Sequence, residues 1–339
     1  LSLLISLRKR YDTVLVHMTP EHLVLGGPIF KTFNKKAFLW YNHTVKSPWL
    51  SQAVRYATSV FHTSPYAASA SFKNARRMPA GIDTDLFKPQ GVQKIPKSVY
   101  FQGRVAPAKK VHVLLEAFAL LHEKGTAEKL TIVGPEDAAY TEPLKKKYNS
   151  LIKSGTISFL GSREYSSTPR LYESHSVSVN LTERGNYDKT VLESMACGTP
   201  AIVSSDAFSE LVPKELMFRE GDARSLADVL ERFMNLPESK RNAFSKKGQS
   251  AVRAQSLPEL ASRLKDSLSS SFRNERVLFL INKLKVGGSE KLFREEREAL
   301  EQDGIPSYLA PLYDTRLPRD VREEFVFLPR FKNLFDIEG

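Results

Sequence analysis

The chain has 339 residues, is 41% hydrophobic and 26% charged, and carries a formal net charge of +12. That length admits two domains, each with its own core, and the composition excludes a disordered or low-complexity chain. The single cysteine, Cys197, excludes an internal disulfide and fits a reducing compartment. No apolar run approaches the ~18 residues of a membrane span, no secretory signal is evident, and the start at Leu1 reads as an excised or truncated piece.

Apolar, β-branched runs recur in chain order at 13–17 (TVLVH), 36–41, 58–61, 98–102, 129–133, 156–160, 177–181 and 200–204. Helical periodicity separates them, most clearly at 111–123 (VHVLLEAFALLHE) and 225–235. Strand alternating with helix predicts βαβ units and parallel sheets. The stretch 88–96, with Pro, Gly and Lys and little apolar content, reads as a domain boundary. Residues 97–240 then form a complete doubly wound unit, and residues 1–89 only part of another. The segment 275–310 reads strand, Gly-rich turn, long amphipathic helix, turn, strand, after the linker-like "SLSSSFRN". That is how a Rossmann-like domain opens. It either completes residues 1–89 or starts a second, similar protein.

The charge is uneven. Residues 1–89 hold twelve Lys/Arg against four Asp/Glu. Such an excess suits an anionic membrane surface, a phosphorylated ligand or nucleic acid, or is a well-solvated face. With no RNA-binding aromatic signature, zinc-finger spacing or basic zipper, nucleic acid is not an expected partner.

Ligands of doubly wound sheets bind at the carboxyl ends of the strands. Three stretches fall there. In "FQGRVAPAKK" (101–110), Gly103 lets the backbone turn after a strand, and Arg104 and Lys109 flank the loop. By spacing they are either a diphosphate cradle or two exposed loop cations. In "NYDKTVLESMACGTP" (186–200), Asp188 can cap a helix that Gly198 and Pro200 end. Lys189 then sits in a first turn where a cation is disfavoured by about 0.3–1 kcal/mol. A phosphate at that helix end would account for it, with Thr190 adding a hydroxyl and Glu193 facing a ribose. Equally, Asp188 merely caps and pairs with Lys189, and Glu193 is surface. In "LWYNHTVKS" (39–47), His43 follows an apolar strand, as His17 ends another. Each suits orienting a hydroxyl or a structural role alike. There is no P-loop, no G-x-G-x-x-G and no metal-ligand cluster, and the "DTD" at 83–85 reads as structural.

Five motifs together resemble the GT-B glycosyltransferases of family 4. They are "AGIDTDLFKP" (80–89), "GRVAPAKKVHVLLEAFALL" (103–121), "DKTVLESMACGTPAIVS" (188–204), "LMFREGDARSLADVL" (216–230) and "INKLKVGGSEK" (281–291). The resemblance implies an α/β GT-B fold, with two Rossmann-like doubly wound parallel-sheet domains facing a cleft. Residues 1–89 would be the second half of an acceptor-side domain, and 90–265 the nucleotide-sugar-binding domain. Residues 275–339 would be the first half of an acceptor-side domain, either completing 1–89 or belonging to a second copy.

The implied activity is transfer of a sugar, with retention, from a nucleotide-diphosphate donor to a glycan or lipid-linked acceptor, with no metal and no cofactor. Carried over residue by residue, Arg104 and Lys109 neutralise the donor diphosphate beside Gly103. Asp188, Lys189 and Thr190 make an altered phosphate and sugar contact, and Glu193 holds the ribose. His43 lies near the transferred sugar, and Gly287 and Gly288 form the loop that approaches the donor and acceptor. One position departs from the pattern: the first glutamate of E-x7-E falls at 185, where the chain has Gly185. The expected setting is cytoplasmic, peripheral on the inner face of the plasma membrane. An inactive nucleotide-sugar binder or a truncated tandem fragment is the alternative.

Overall fold

The computed structural model describes residues 2–268, 276–281, 297, 298, 301 and 307–311. The described residues divide into two units. One comprises residues up to Gly81 and those from Leu257 on, and the other is Ile82–Ser256.

The first unit is built on six strands. They are β1 (Thr13–His17), β2 (Lys36–Trp40), β3 (Ser59–His62), β4 (Ala75–Arg77) and, far along the chain, β10 (Val277–Ile281) and β11 (Ser307–Pro311). All pair in parallel in the order β11-β10-β1-β2-β3-β4. β10 aligns Val277 with Thr13 and Leu280 with Val16. The alternation of side chains shows why this register holds. Val14, Val16, Ala37, Leu39, Val60, Leu278 and Leu280 share one core with Leu23 and Phe30 of the helix Pro20–Thr32. Leu15, Phe38, Trp40, Phe61, Val277 and Phe279 share the other, against Leu260, Leu264 and Leu268 of the helix Leu257–Leu268. Strands buried on both faces read as continuous apolar runs, which is what TVLVH and VLFLI are. An ion pair reinforces the edge of this pairing, with Arg276 Nε 3.1 Å from Asp12 Oδ2.

The second unit holds β5 (Ser98–Gln102), β6 (Lys129–Val133), β7 (Ile157–Phe159), β8 (Val177–Asn180) and β9 (Ala201–Val203), all parallel, in the order β7-β6-β5-β8-β9. From β5 the chain winds outward through β6 and β7. It then crosses to the other side of β5 for β8 and β9. The point of reversal lies between β5 and β8, where doubly wound sheets open a ligand crevice.

The expected strands are present to within a residue or two, and β4 is an addition. The expected boundaries at 89/90 and 265 are corrected to 81/82 and 256/257. Two packing facts move them. Phe87 is buried and its ring lies 4.9 Å from Tyr165 within the second unit. The helix Leu257–Leu268 spaces Leu260, Leu264 and Leu268 four apart, and that stripe is buried on the first unit's sheet. Among the described residues, no helix is long and apolar enough to cross a membrane.

Candidate functional site

The loops that leave β5 and β8 flank the reversal point of the second sheet. After Gln102 the chain turns at Gly103, runs exposed through Arg104, and makes a short 3-10 turn over Pro107–Lys109 before the helix Val111–Glu123. After Asn180 it loops to Asp188, which caps the helix Lys189–Ala196. The sequence requires each feature. Lys110, at φ 48°, ends the 3-10 turn and redirects the chain into the next helix. Asp188, in extended backbone, offers Oδ1 to the Thr190 N–H at 3.2 Å.

Among the described residues, two ion pairs tie the loops: Lys110 Nζ lies 3.8 Å from Glu183 Oε1, and Lys109 makes the closer one. Lys109 Nζ lies 2.5 Å from Asp188 Oδ2, with the side chains 29% and 17% exposed. Asp188 also accepts from the hydroxyls of Thr190 (3.0 Å) and Thr182 (3.3 Å). Burial by itself would raise the Asp188 carboxyl. The Lys109 charge and the hydrogen bonds from Lys109 and Thr190 outweigh it and hold the group below the usual aspartate range. The Thr190 hydroxyl is engaged on both sides, since it also accepts from Asn180 Nδ2 at 3.2 Å. Arg104 differs: its side chain is exposed and makes no hydrogen bond or ion pair among the described residues.

Glu193 is buried, at 6% exposure, so it is not a surface residue. Its Oε1 accepts from the Tyr165 hydroxyl at 2.9 Å and its Oε2 from the Tyr172 hydroxyl at 3.1 Å. Burial first, and then the Glu193 charge, pushes Tyr172 well above a tyrosine's ordinary range, so the phenol stays a proton donor to the carboxylate.

Sequence reasoning missed two supports of this site. The first is Gly134, directly after β6. A Cβ there would lie 2.0 Å from the Gly103 carbonyl oxygen, so the loops after β5 and β6 meet backbone to backbone. The signal was a glycine immediately after a strand. The second is a carboxylate frame under the loop after β8. Asp206 Oδ2 takes Arg184 Nε at 2.6 Å and its Oδ1 takes the Gly185 N–H at 3.1 Å. Glu220 takes the Arg184 N–H at 3.0 Å and pairs with Lys110 Nζ. Nothing in the local sequence marks these acids as partners of a loop some twenty or more residues away. Gly185 itself is buried at φ 79°, a left-handed conformation that a glutamate would adopt only under strain.

In the first unit, His43 lies three residues beyond β2. It is exposed, its ring is 5.4 Å from that of Tyr41 at 71°, and its carbonyl accepts from the Ala68 N–H at 2.8 Å. His17 is buried and stacks on Trp40 at 6.1 Å. Asp83 Oδ1 accepts from the N–H groups of Asp85 (3.1 Å) and Leu86 (2.9 Å), so the "DTD" stretch is a hydrogen-bonded turn. Gly287 and Gly288 lie outside the described residues. Among the described residues no group of three or more His, Cys, Asp or Glu is arranged to hold a metal ion.

Two parallel-sheet α/β units, the second reversing its strand order between β5 and β8, define the GT-B fold of glycosyltransferases. Residues 83–251, nearly the whole second unit and just under half of the chain, match the family described as Glycosyl transferases group 1. Similar solved structures include Anabaena HepE in complex with UDP, with a TM-score of 0.68 and 18% identity over 80% of this chain and 81% of that one. The sucrose-phosphate synthase of Thermosynechococcus elongatus gives a TM-score of 0.63 and 19% identity over 77% and 73%. The alpha-monoglucosyldiacylglycerol synthase of Streptococcus pneumoniae is 24% identical over 160 residues, which is 46% of this chain and 36% of that protein. The chain therefore matches little more than a third of the length of that relative.

Proposed function

We propose that the chain is a retaining, metal-independent glycosyltransferase. It moves a sugar from a nucleotide-diphosphate donor to a glycan or lipid-linked acceptor, as a cytoplasmic, membrane-peripheral enzyme. The observation that carries this reading is Lys109 held by an ion pair on the Asp188-capped helix at the reversal point of the second sheet, with Arg104 exposed in the same loop as Lys109. The UDP bound to HepE and the glycolipid named for the streptococcal relative support the donor and acceptor classes.

In this mechanism the departing nucleoside diphosphate gains negative charge as the glycosidic bond breaks. Arg104, with no partner among the described residues, is available to receive it. Lys109 is held in place by Asp188 and has two N–H donors left for phosphate oxygens. Cations fixed before the reaction need no reorganisation as that charge develops. Lys189 adds to this field, Glu193 accepts from the ribose, and His43 stands at the acceptor side. The pairing of β10 with β1 supports the further reading that residues 276–311 complete the acceptor-side sheet within one permuted chain. Calorimetry with UDP and UDP-glucose, and release of UDP from UDP-glucose with a lipid acceptor, test the activity. Binding to neither nucleotide would refute it.

One observation favours a second reading, an inactive nucleotide-sugar binder. Gly185 stands where the resemblance implies a sugar-contacting glutamate, in backbone unsuited to one. Donor binding without any transfer or hydrolysis would select it.

A further inference from the structure

The Pro-, Gly- and Lys-rich stretch 88–96 reads as a loose boundary, yet it is fastened within the second unit. Just before it, Asp83 Oδ1 closes a turn on the Leu86 N–H at 2.9 Å, and the Phe87 N–H donates to the Asp83 carbonyl at 2.8 Å. The two carboxylate oxygens of Glu173 accept from the N–H groups of Gln90 (2.7 Å) and Gly91 (3.0 Å). Lys94 Nζ directs its three donors to the carbonyls of Glu173 (3.1 Å) and His175 (3.0 Å) and to the Thr199 hydroxyl (3.1 Å). Glu173 is buried and ends the helix Thr168–Glu173. A mere spacer between domains needs none of these contacts.

What they hold in place is Phe87. Its side chain is buried, and its ring meets two tyrosines edge-on, Tyr165 at 4.9 Å and 72° and Tyr172 at 6.1 Å and 67°. These are the tyrosines whose hydroxyls donate to Glu193, one to each carboxylate oxygen. The two are not held alike. Tyr172 is fully buried, next to the clasped Glu173, and the Tyr100 ring braces it again at 4.9 Å. Tyr165 is half-buried, in the short 3-10 turn Tyr165–Ser167. A phenol hydroxyl lies at the far end of its ring, so a tilt of the ring carries it off the carboxylate, and a hydrogen bond weakens steeply as its geometry worsens. Phe87 therefore bears most on Tyr165.

We propose that Phe87 is a positioning residue for Glu193, acting through the Tyr165 hydroxyl. The stretch that leads into the second unit thereby sets the aim of the carboxylate, and with it the preference for a donor whose ribose carries its hydroxyls. The inference rests on the reading of Glu193 as the ribose contact of a nucleotide-diphosphate donor.

Calorimetry of the full chain with UDP and with 2′,3′-dideoxy-UDP tests it, the ratio of the two affinities being the readout. The unaltered chain should prefer UDP by roughly tenfold or more, as expected for hydrogen bonds to a charged group. Tyr165→Phe removes one oxygen, and Phe87→Leu keeps an apolar side chain. Each should cut the preference by about threefold or more, and in the double variant Phe87→Leu should add nothing, because the hydroxyl it steers is gone. Phe87→Met takes its place if the leucine variant does not fold. Phe118→Leu, on the buried face of the helix Val111–Glu123, is the control for lost packing and should leave the preference unchanged. An unchanged preference in Tyr165→Phe or Phe87→Leu, losses that add in the double variant, or a like loss in Phe118→Leu overturns the proposal while UDP binding stands. So does an unaltered chain that binds UDP no better than its dideoxy analogue. An unaltered chain that binds neither nucleotide refutes the glycosyltransferase reading itself, and this inference falls with it.

Discussion

Lys109 Nζ stands 2.5 Å from Asp188 Oδ2 and so joins the loop after β5 to the helix after β8. One aspartate thereby does two jobs, since its other oxygen caps that helix at the Thr190 N–H. Helix end and cation are therefore held in one geometry before any ligand arrives.

The two jobs separate by substitution. Asp188→Asn keeps an oxygen for the cap and loses the charge that faces Lys109, whereas Asp188→Ala loses both. Asparagine and aspartate are similar caps, and loss of a cap costs about 1 kcal/mol. Asp188→Ala should therefore unfold at a lower urea midpoint than Asp188→Asn, by about that energy. Equal midpoints for the two variants would mean that the cap contributes nothing.

Arg104 makes the opposite prediction. Its guanidinium is exposed and touches no acid among the described residues, so Arg104→Ala should change stability by less than about 0.5 kcal/mol. A hydrogen bond to a charged phosphate contributes roughly 1.5–3 kcal/mol, so the same change should weaken UDP binding about ten- to a hundredfold. Calorimetry decides. UDP affinity equal to that of the unaltered chain would remove Arg104 from the donor site.

The strands were legible because parallel strands buried on both faces leave unbroken apolar runs, as at TVLVH and VLFLI. The strand of β10 was legible in the same way, but its place was not: the sequence left open whether it joins the first sheet, and only the structure packs Leu278 and Leu280 in one core with Val14 and Val16. The helix Leu257–Leu268 shows the limit. Its apolar stripe announces a buried face but not the sheet it is buried on, which misplaced the boundary. The same holds for Glu193. Spacing put it one turn into a helix, but its partners, Tyr165 and Tyr172, come from a segment 21 to 28 residues earlier. Gly134 and Asp206 act through backbone approach and a long-range anchor, and neither leaves a local pattern.

Stability should fall with acid in a window set by His175. This side chain is 2% exposed and lies between the Leu171 carbonyl (2.7 Å) and the Thr131 hydroxyl (2.8 Å). Burial above all, aided by Lys94 and Lys129, lowers it from 6.5 to about 4. Between those values the unfolded chain binds a proton that the folded chain does not, so stability drops as pH drops. The contribution is complete above about pH 6.5 and gone below about pH 4, and amounts to roughly 3 kcal/mol. His22, lowered to about 4 by burial, adds to the slope from the first unit. Asp188 and Asp12, both held below the usual range, act only at lower pH still. Urea midpoints measured from pH 7.5 to 4.5 should fall steadily, and less so in His175→Gln, which takes up no proton. An unchanged slope in that variant would take His175 out of the account.

Gly185 tests whether the missing glutamate can be restored. Its φ of 79° is left-handed, and its N–H is anchored 3.1 Å from Asp206 Oδ1. Any side chain there meets the left-handed penalty of about 1–2 kcal/mol. Gly185→Ala should show that loss in urea unfolding. Gly185→Glu should show at least as much, because the residue is buried and Asp206 lies beside it, adding repulsion between two carboxylates. Placing the carboxylate at 185 should therefore not tighten UDP-glucose binding relative to UDP. A gain specific to the sugar nucleotide would instead mean that the loop yields, and that the frame of Asp206 and Glu220 is weaker than its geometry implies.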